Sequence, residues 1–161
     1  MANENMTQIA LVDGTPPKSA SYGGQYTAIV DTMEVAVPVT GGTVTIARIP
    51  VDAKILSIAY ASDDLGTAAP ADLGFYEGNS AGATAVDIDA IASAVALGTA
   101  TTTWTEARFE AADINTADMP AWELAGLSAR PSYGDFDVAF TYGTINTGAG
   151  GTLSIKIVYL Q

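Results

Sequence analysis

Carboxylates are the reactive groups this chain has in quantity. It carries 18 Asp and Glu against 6 Lys and Arg in 161 residues, with no His and no Cys. Asp87 and Asp89 stand at i and i+2. On an extended segment such residues point the same way and can converge on a hard cation such as calcium. The same pair reads as two solvated carboxylates on an exposed edge, where charge discourages pairing with another chain. The twelve-residue calcium loop with its ligand spacing is absent, so the solvated edge is the expectation. Asp63 with Asp72, or Glu77 with Asp87, would supply the two carboxylates of a glycosidase, but 18 acids produce such pairs by number alone.

What is missing narrows the chemistry further. Without His the chain lacks the commonest general base, the commonest zinc ligand and the usual partner of a nucleophilic serine. Without Cys it has no thiolate and no disulfide. Gly41-Gly42 and the Gly-rich residues 148–151 lack the strand-to-helix context and the lysine of a phosphate loop, and read as turns. The expectation is a protein that is not an enzyme and holds no cofactor or metal.

Contact residues are a different matter. Tyr22 and Tyr26 flank Gly23-Gly24, and tyrosine offers a large apolar area with a polar tip. With Pro16 and Pro17 they are the expected contacts with a neighbouring subunit or partner. Trp104, Trp122 and the tyrosines could instead line a sugar-binding face, the alternative being a carbohydrate-binding module. Trp122, beside Leu124 and Leu127, is expected to plug the core. The formal net charge of -12 disfavours nucleic acid, whose binding needs a basic surface, and anionic membranes. The opening MANENMTQIA has neither the basic region nor the apolar core of a signal peptide. No apolar run reaches membrane-spanning length. A cytoplasm, or an assembly built there, is the expected setting.

The elements that must present these residues are strands. Residues 44–78 hold three runs with apolar residues at a period of two, bounded by Gly, Pro and Asp. Leu56, Ile58 and Tyr60 are expected on one face. Tyr26, Ala28 and Val30, then Met33, Val35 and Val37, carry a further strand whose alternation shifts at Asp31-Thr32, which predicts a bulge. Gly41-Gly42 predicts a hairpin-type turn. Residues 91–97 fit one helical turn or a small strand, and are read as a helical turn. Residues 101–105 are β-branched and aromatic, hence a strand. Pro120 to Gly126 reads as one turn of helix. Phe136, Val138, Phe140 and Tyr142 share a face, as do Leu153, Ile155, Ile157 and Tyr159. Ser154 and Lys156 lie on the other, joined by Val158 and Leu160. The two runs predict an antiparallel hairpin. The fold class is therefore all-β, an antiparallel sandwich of jelly-roll type with scraps of helix. Residues 1–25 are expected to form an extended arm, broken by Pro16-Pro17, before a single domain over 26–161.

Three stretches carry a resemblance. The first is Ala47-Arg48-Ile49-Pro50-Val51-Asp52-Ala53-Lys54-Ile55-Leu56-Ser57, followed by Ala61-Ser62-Asp63-Asp64-Leu65-Gly66 and Ala71-Asp72-Leu73-Gly74. The second is Ala121-Trp122-Glu123-Leu124-Ala125-Gly126-Leu127. The third runs from Phe136 to Tyr159 around a Gly/Ala/Thr loop. Together they resemble the capsid decoration, or cement, proteins of tailed bacteriophages, over roughly residues 44–161. The resemblance implies a non-enzymatic virion protein on the capsid exterior, bound to the major capsid protein. It also implies a homo-oligomer, a trimer by capsid geometry. It brings no catalytic residue.

Overall fold

The structure, a computed structural model, describes residues 25–67, 70–78, 84–108, 116, 118–144 and 147–161. Eight long strands form two antiparallel four-stranded sheets. In chain order they are β1 (Tyr26–Val35), β2 (Thr43–Pro50), β3 (Lys54–Ser62), β5 (Pro70–Glu77), β6 (Ala85–Ala96), β7 (Thr101–Glu106), β8 (Asp135–Tyr142) and β10 (Gly151–Leu160). Two-residue strands β4 (Gly66–Thr67) and β9 (Thr147–Gly148) pair at one end. One sheet has the order β1-β10-β3-β7 and the other β2-β8-β5-β6. We refer to them as the first and second sheets.

This order is a jelly roll. The first long strand pairs with the last, β1 with β10, then β2 with β8, β3 with β7, and β5 with β6. The chain is a long hairpin folded over on itself, so successive strands mostly alternate between sheets. That corrects two expectations. Residues 135–142 and 151–160 are strands but do not form a hairpin, because β8 and β10 lie in different sheets. The Gly41 turn likewise carries the chain from one sheet to the other. Gly41 takes φ +74°, a conformation glycine adopts at no steric cost, and its amide reaches the Tyr142 carbonyl at 2.8 Å.

The core is the space between the sheets. Phe136, Val138, Phe140 and Tyr142 of β8 face Leu153, Ile155, Ile157 and Tyr159 of β10, all buried. The period-two reading of these strands therefore holds on both sides. Ile157 is fully enclosed, and Ile157→Ala is expected to cost about 2–4 kcal/mol, the usual range for a large-to-small core change. Chemical denaturation measures it. A loss under about 0.5 kcal/mol, the level of an ordinary surface site, would mean the register is wrong.

Other elements differ from expectation for identifiable reasons. Residues 91–97 lie mostly in β6, not a helical turn. Their spacing looked helical because β6 is irregular: six residues, from Asp87 to Ala92, span what the three from Leu73 to Phe75 span on β5. In addition, Ala94 takes φ +53°. In β3 the irregularity falls at Leu56, which lies between Ser57, opposite Val158, and Ile55, opposite Tyr159. Ile55 is thus buried with Ile58 and Tyr60, while Leu56 is turned out. The bulge expected at Asp31-Thr32 is absent, and β1 pairs with β10 in unbroken register from Tyr26 to Val35. The expected helical turn is present as α1 (Ala121–Leu124), preceded by Pro120. Hydrogen bonds from Ala121 and Trp122 amides to the Ala53 and Val51 carbonyls tie it to the β2–β3 turn. Trp122 packs half-buried against the core.

Candidate interaction face

Asp63 and Asp72 do not assemble, while Glu77 and Asp87 lie on the neighbouring strands β5 and β6. Asp63 leaves β3 and accepts the Thr152 amide at 2.8 Å, a bond that holds its carboxyl below the ordinary range. Asp72 stands on the second sheet, where Oδ1 accepts the Ala94 amide at 2.9 Å and the Ser93 hydroxyl at 3.3 Å. The two are committed to backbone on opposite sheets. Asp87 engages Asp89, whose amide it accepts at 3.3 Å. Partial burial, then the neighbouring Asp89 carboxyl, raises its proton affinity. Among the described residues no group of three or more His, Cys, Asp and Glu is placed to hold a metal ion.

The outer faces of the two sheets differ in kind. On the second sheet several outward side chains are polar and paired with one another, although Ile88 of β6 is also exposed. Arg48 donates to both oxygens of Asp137, at 2.7 and 3.1 Å. Tyr76 and Thr141 share a hydrogen bond of 2.6 Å. Gly74 lies beneath the irregular stretch of β6, where a Cβ would meet the Asp87 carbonyl and the Ile88 backbone.

On the first sheet the outward side chains run from polar to apolar. At one end Thr32 and Ser154 share a hydrogen bond of 2.9 Å, and Thr152 donates to Glu34 at 3.0 Å. Toward the other end the register sets Val30 beside Lys156, Ala28 beside Val158, and Tyr26 beside Leu160. Leu56 emerges from the β3 bulge in the same region. Trp104 of β7 lies under the Lys156 ammonium, 5.6 Å from the ring centroid, a distance at which the cation is attracted to the ring face. Tyr26, Val30, Leu56 and Trp104 are 60%, 64%, 39% and 46% exposed. Two of the chain's lysines border this apolar end, Lys156 and Lys54, the latter bonded to Asp118 at 2.7 Å. Contiguous exposed apolar area rimmed by polar groups marks an interaction surface.

Of the expected contact residues, Tyr26 falls on this face, at its apolar end. Tyr22, Pro16 and Pro17, with the expected arm up to residue 24, lie outside the described residues. Val30, Leu56, Val158, Leu160 and Trp104 were not foreseen as contacts. The signal was partly legible, since Val158 and Leu160 break the polar parity of β10. For β1 it was hidden by Asp31. That residue has inward parity but sits at the sheet edge, exposed, with its carboxylate accepting the Thr32 amide at 2.8 Å. A charged residue among Ile29, Met33 and Val35 made the true alternation look broken.

No protein-family model matches the sequence, and no curated protein matches it. Two solved structures are similar in fold. A chain in the capsid of Ralstonia phage GP4 superposes with a TM-score of 0.61 at 18% identity, over 85% of this chain and 84% of that one. A chain in the cyanophage Pam1 capsid asymmetric unit superposes with a TM-score of 0.51 at 16% identity, over 91% of this chain and 90% of that one. Both likenesses span nearly the whole of each chain.

Proposed function

We propose that this chain is a structural protein of a tailed-phage virion that decorates the outer surface of the capsid by binding the major capsid protein. The observation that carries the reading is the likeness of fold, nearly end to end, to chains of two phage capsids. A fold alone does not assign a function, and the surface adds support to the reading. One sheet face carries paired polar side chains, and the opposite face offers an apolar patch. A particle built of many copies needs such a two-sided unit: one side adheres and the other meets water. Self-association, as a trimer at the capsid's local symmetry positions, belongs to the same reading, as does assembly in the host cytoplasm. A sugar-binding role is less well served. Its most exposed indole, Trp104, sits on an open sheet and has an ammonium over its ring.

The test is reconstitution. Purified protein is added to shells that lack it, and the bound fraction is measured by co-sedimentation. Val30→Asp places a charge at the margin of the apolar patch, on one of its most exposed residues, and should weaken binding at least about tenfold, a change of ~1.4 kcal/mol. Asp135→Asn, an exposed change at the start of β8, should leave binding intact. Both variants should keep the parent thermal midpoint, as exposed substitutions do. Equal binding of all three would rule out the face; no binding by the parent would overturn the function.

A further inference from the structure

We propose that β1 is an acceptor edge, to which residues 7–12 of a second copy of this chain add as a further strand of the first sheet. This extends the self-association in the reading above and does not depend on what the assembly decorates.

Among the described residues the sandwich has four edges, β1, β7, β2 and β6. Open edges present unpaired backbone groups and invite another strand, and proteins blunt them with bulges, Pro, Lys or short length. Three edges here are blunted. β2 shifts register between Thr45 and Ala47 and ends on Pro50. β6 carries three shifts and the positive-φ Ala94. β7 is six residues long and loses register against β3 between Tyr60 and Ser62. β1 has none of these four devices, and its one blunting feature is the inward-parity charge of Asp31, whose carboxylate is held by the Thr32 amide. It is ten residues long, pairs with β10 without a break, and contains neither Pro nor Lys.

The side chains along β1 also lack cover on the outer side. Ile29 and Met33 have inward parity, yet they remain half-exposed at the margin of the core. Val30 and Tyr26 are open on the outer face. An added strand would cover both sets if it were apolar at both parities.

Residues 7–12, Thr-Gln-Ile-Ala-Leu-Val, fit that requirement. Ile9 and Leu11 share one parity, to lie over Ile29 and Met33. Ala10 and Val12 share the other, to lie beside Ala28 and Val30. Main-chain hydrogen bonds would supply affinity and the alternate side chains register, as in strand addition generally. Geometry favours a second copy over the same one. The described chain starts at Gln25, beside the end of β1, where Gln25 and Gln161 exchange both backbone hydrogen bonds at 3.0 Å. The 12 residues from Asp13 to Gly24 could reach about 40 Å when extended. Pro-Pro in a linker favours an extended path over a tight return, so a linker of this reach suits the edge of a second copy.

Cysteine pairing tests this in purified protein, where the absence of native Cys leaves no background. One preparation carries Ala10→Cys. A second, distinguished by a size tag, carries Ala28→Cys, Val30→Cys or Thr32→Cys, all outward on β1. After mixing and mild oxidation, at least one combination should give a disulfide-linked species of mixed size on non-reducing gels. The same substitution on the β6 edge, Ser93→Cys, should not. Deleting residues 1–12 should lower the mass in light scattering while preserving the thermal midpoint. The proposal is overturned by any of three results: no mixed species at the three positions, a link only within one chain when both cysteines are in the same copy, or an unchanged mass after the deletion. Because no shell enters the experiment, its failure leaves the capsid reading standing.

Discussion

Phe136→Ala is expected to lower the stability of this protein by about 3–5 kcal/mol, the range for removing a large buried aromatic. Phe136 is fully enclosed in β8. It lies between Phe75, 5.0 Å away and tilted by 31°, and Tyr133, edge-on at 5.7 Å. Each aromatic pair adds about 0.5–1.5 kcal/mol beyond the area buried, and β8 itself sits between β2 and β5. The vacancy would open at the centre of the second sheet, where three strands restrain collapse. Against the ~5–15 kcal/mol typical of a whole domain, that loss is large. Denaturant midpoints at constant slope would measure it. A change below about 1 kcal/mol would mean the side chain is not where the packing places it.

Gly74→Ala is expected to be comparably damaging for the opposite reason. A methyl group here would not leave space; it would demand space that backbone already fills. It would lie 2.6 Å from the Ile88 carbonyl oxygen and closer still to the Asp87 carbonyl. A side chain could rotate away, but the two strands are hydrogen-bonded to each other. Overpacking costs about 1–3 kcal/mol even where side chains can adjust, so a loss of about 3 kcal/mol or outright failure to fold is expected. Gly134→Ala is the control. Its added Cβ meets nothing within 4 Å, and its effect should stay within about 0.5 kcal/mol. Equal behaviour of the two variants would contradict the path of β6 over β5.

Much of this fold was legible because most inward side chains alternate with outward ones at the period of a strand. β8 and β10 could be read residue by residue, with correct faces. Topology could not, because a jelly roll pairs strands distant in sequence and the local turn signals suggest neighbours instead. The Gly-rich loop before β10 looks like a hairpin turn, yet it spans from one sheet to the other. Period-two reasoning also fails wherever an extra residue enters. Leu56 was assigned to the core and Ile55 was not, because one bulge inverts the parity of everything before it. In β6 the extra residues made a strand look helical.

The interaction face was harder still. Its residues come from four strands, three of them far apart in sequence, and no spacing rule connects Tyr26 with Trp104 or Leu56. Only the register of β1 on β10, of β10 on β3 and of β3 on β7 brings them together. Tyr26 was named as a contact because an aromatic beside a Gly-Gly pair invites such a role, which is a composition argument. The carboxylate pairs show the converse error. They are visible in sequence, where Asp87 and Asp89 read as solvated carboxylates, whereas Asp63, Asp72 and Asp87 each accept a backbone amide.

The central claim is that this chain belongs to the outside of a phage shell, held there by the apolar face of the first sheet. A cryo-EM map of the virion that carries it tests this most directly. The account predicts jelly-roll density on the outer surface of the capsid, with Tyr26, Val30, Val158 and Trp104 turned toward a neighbouring protein and Asp135 and Arg48 toward solvent. Density for this chain inside the shell or only in the tail, or a shell from which it is missing, would contradict it.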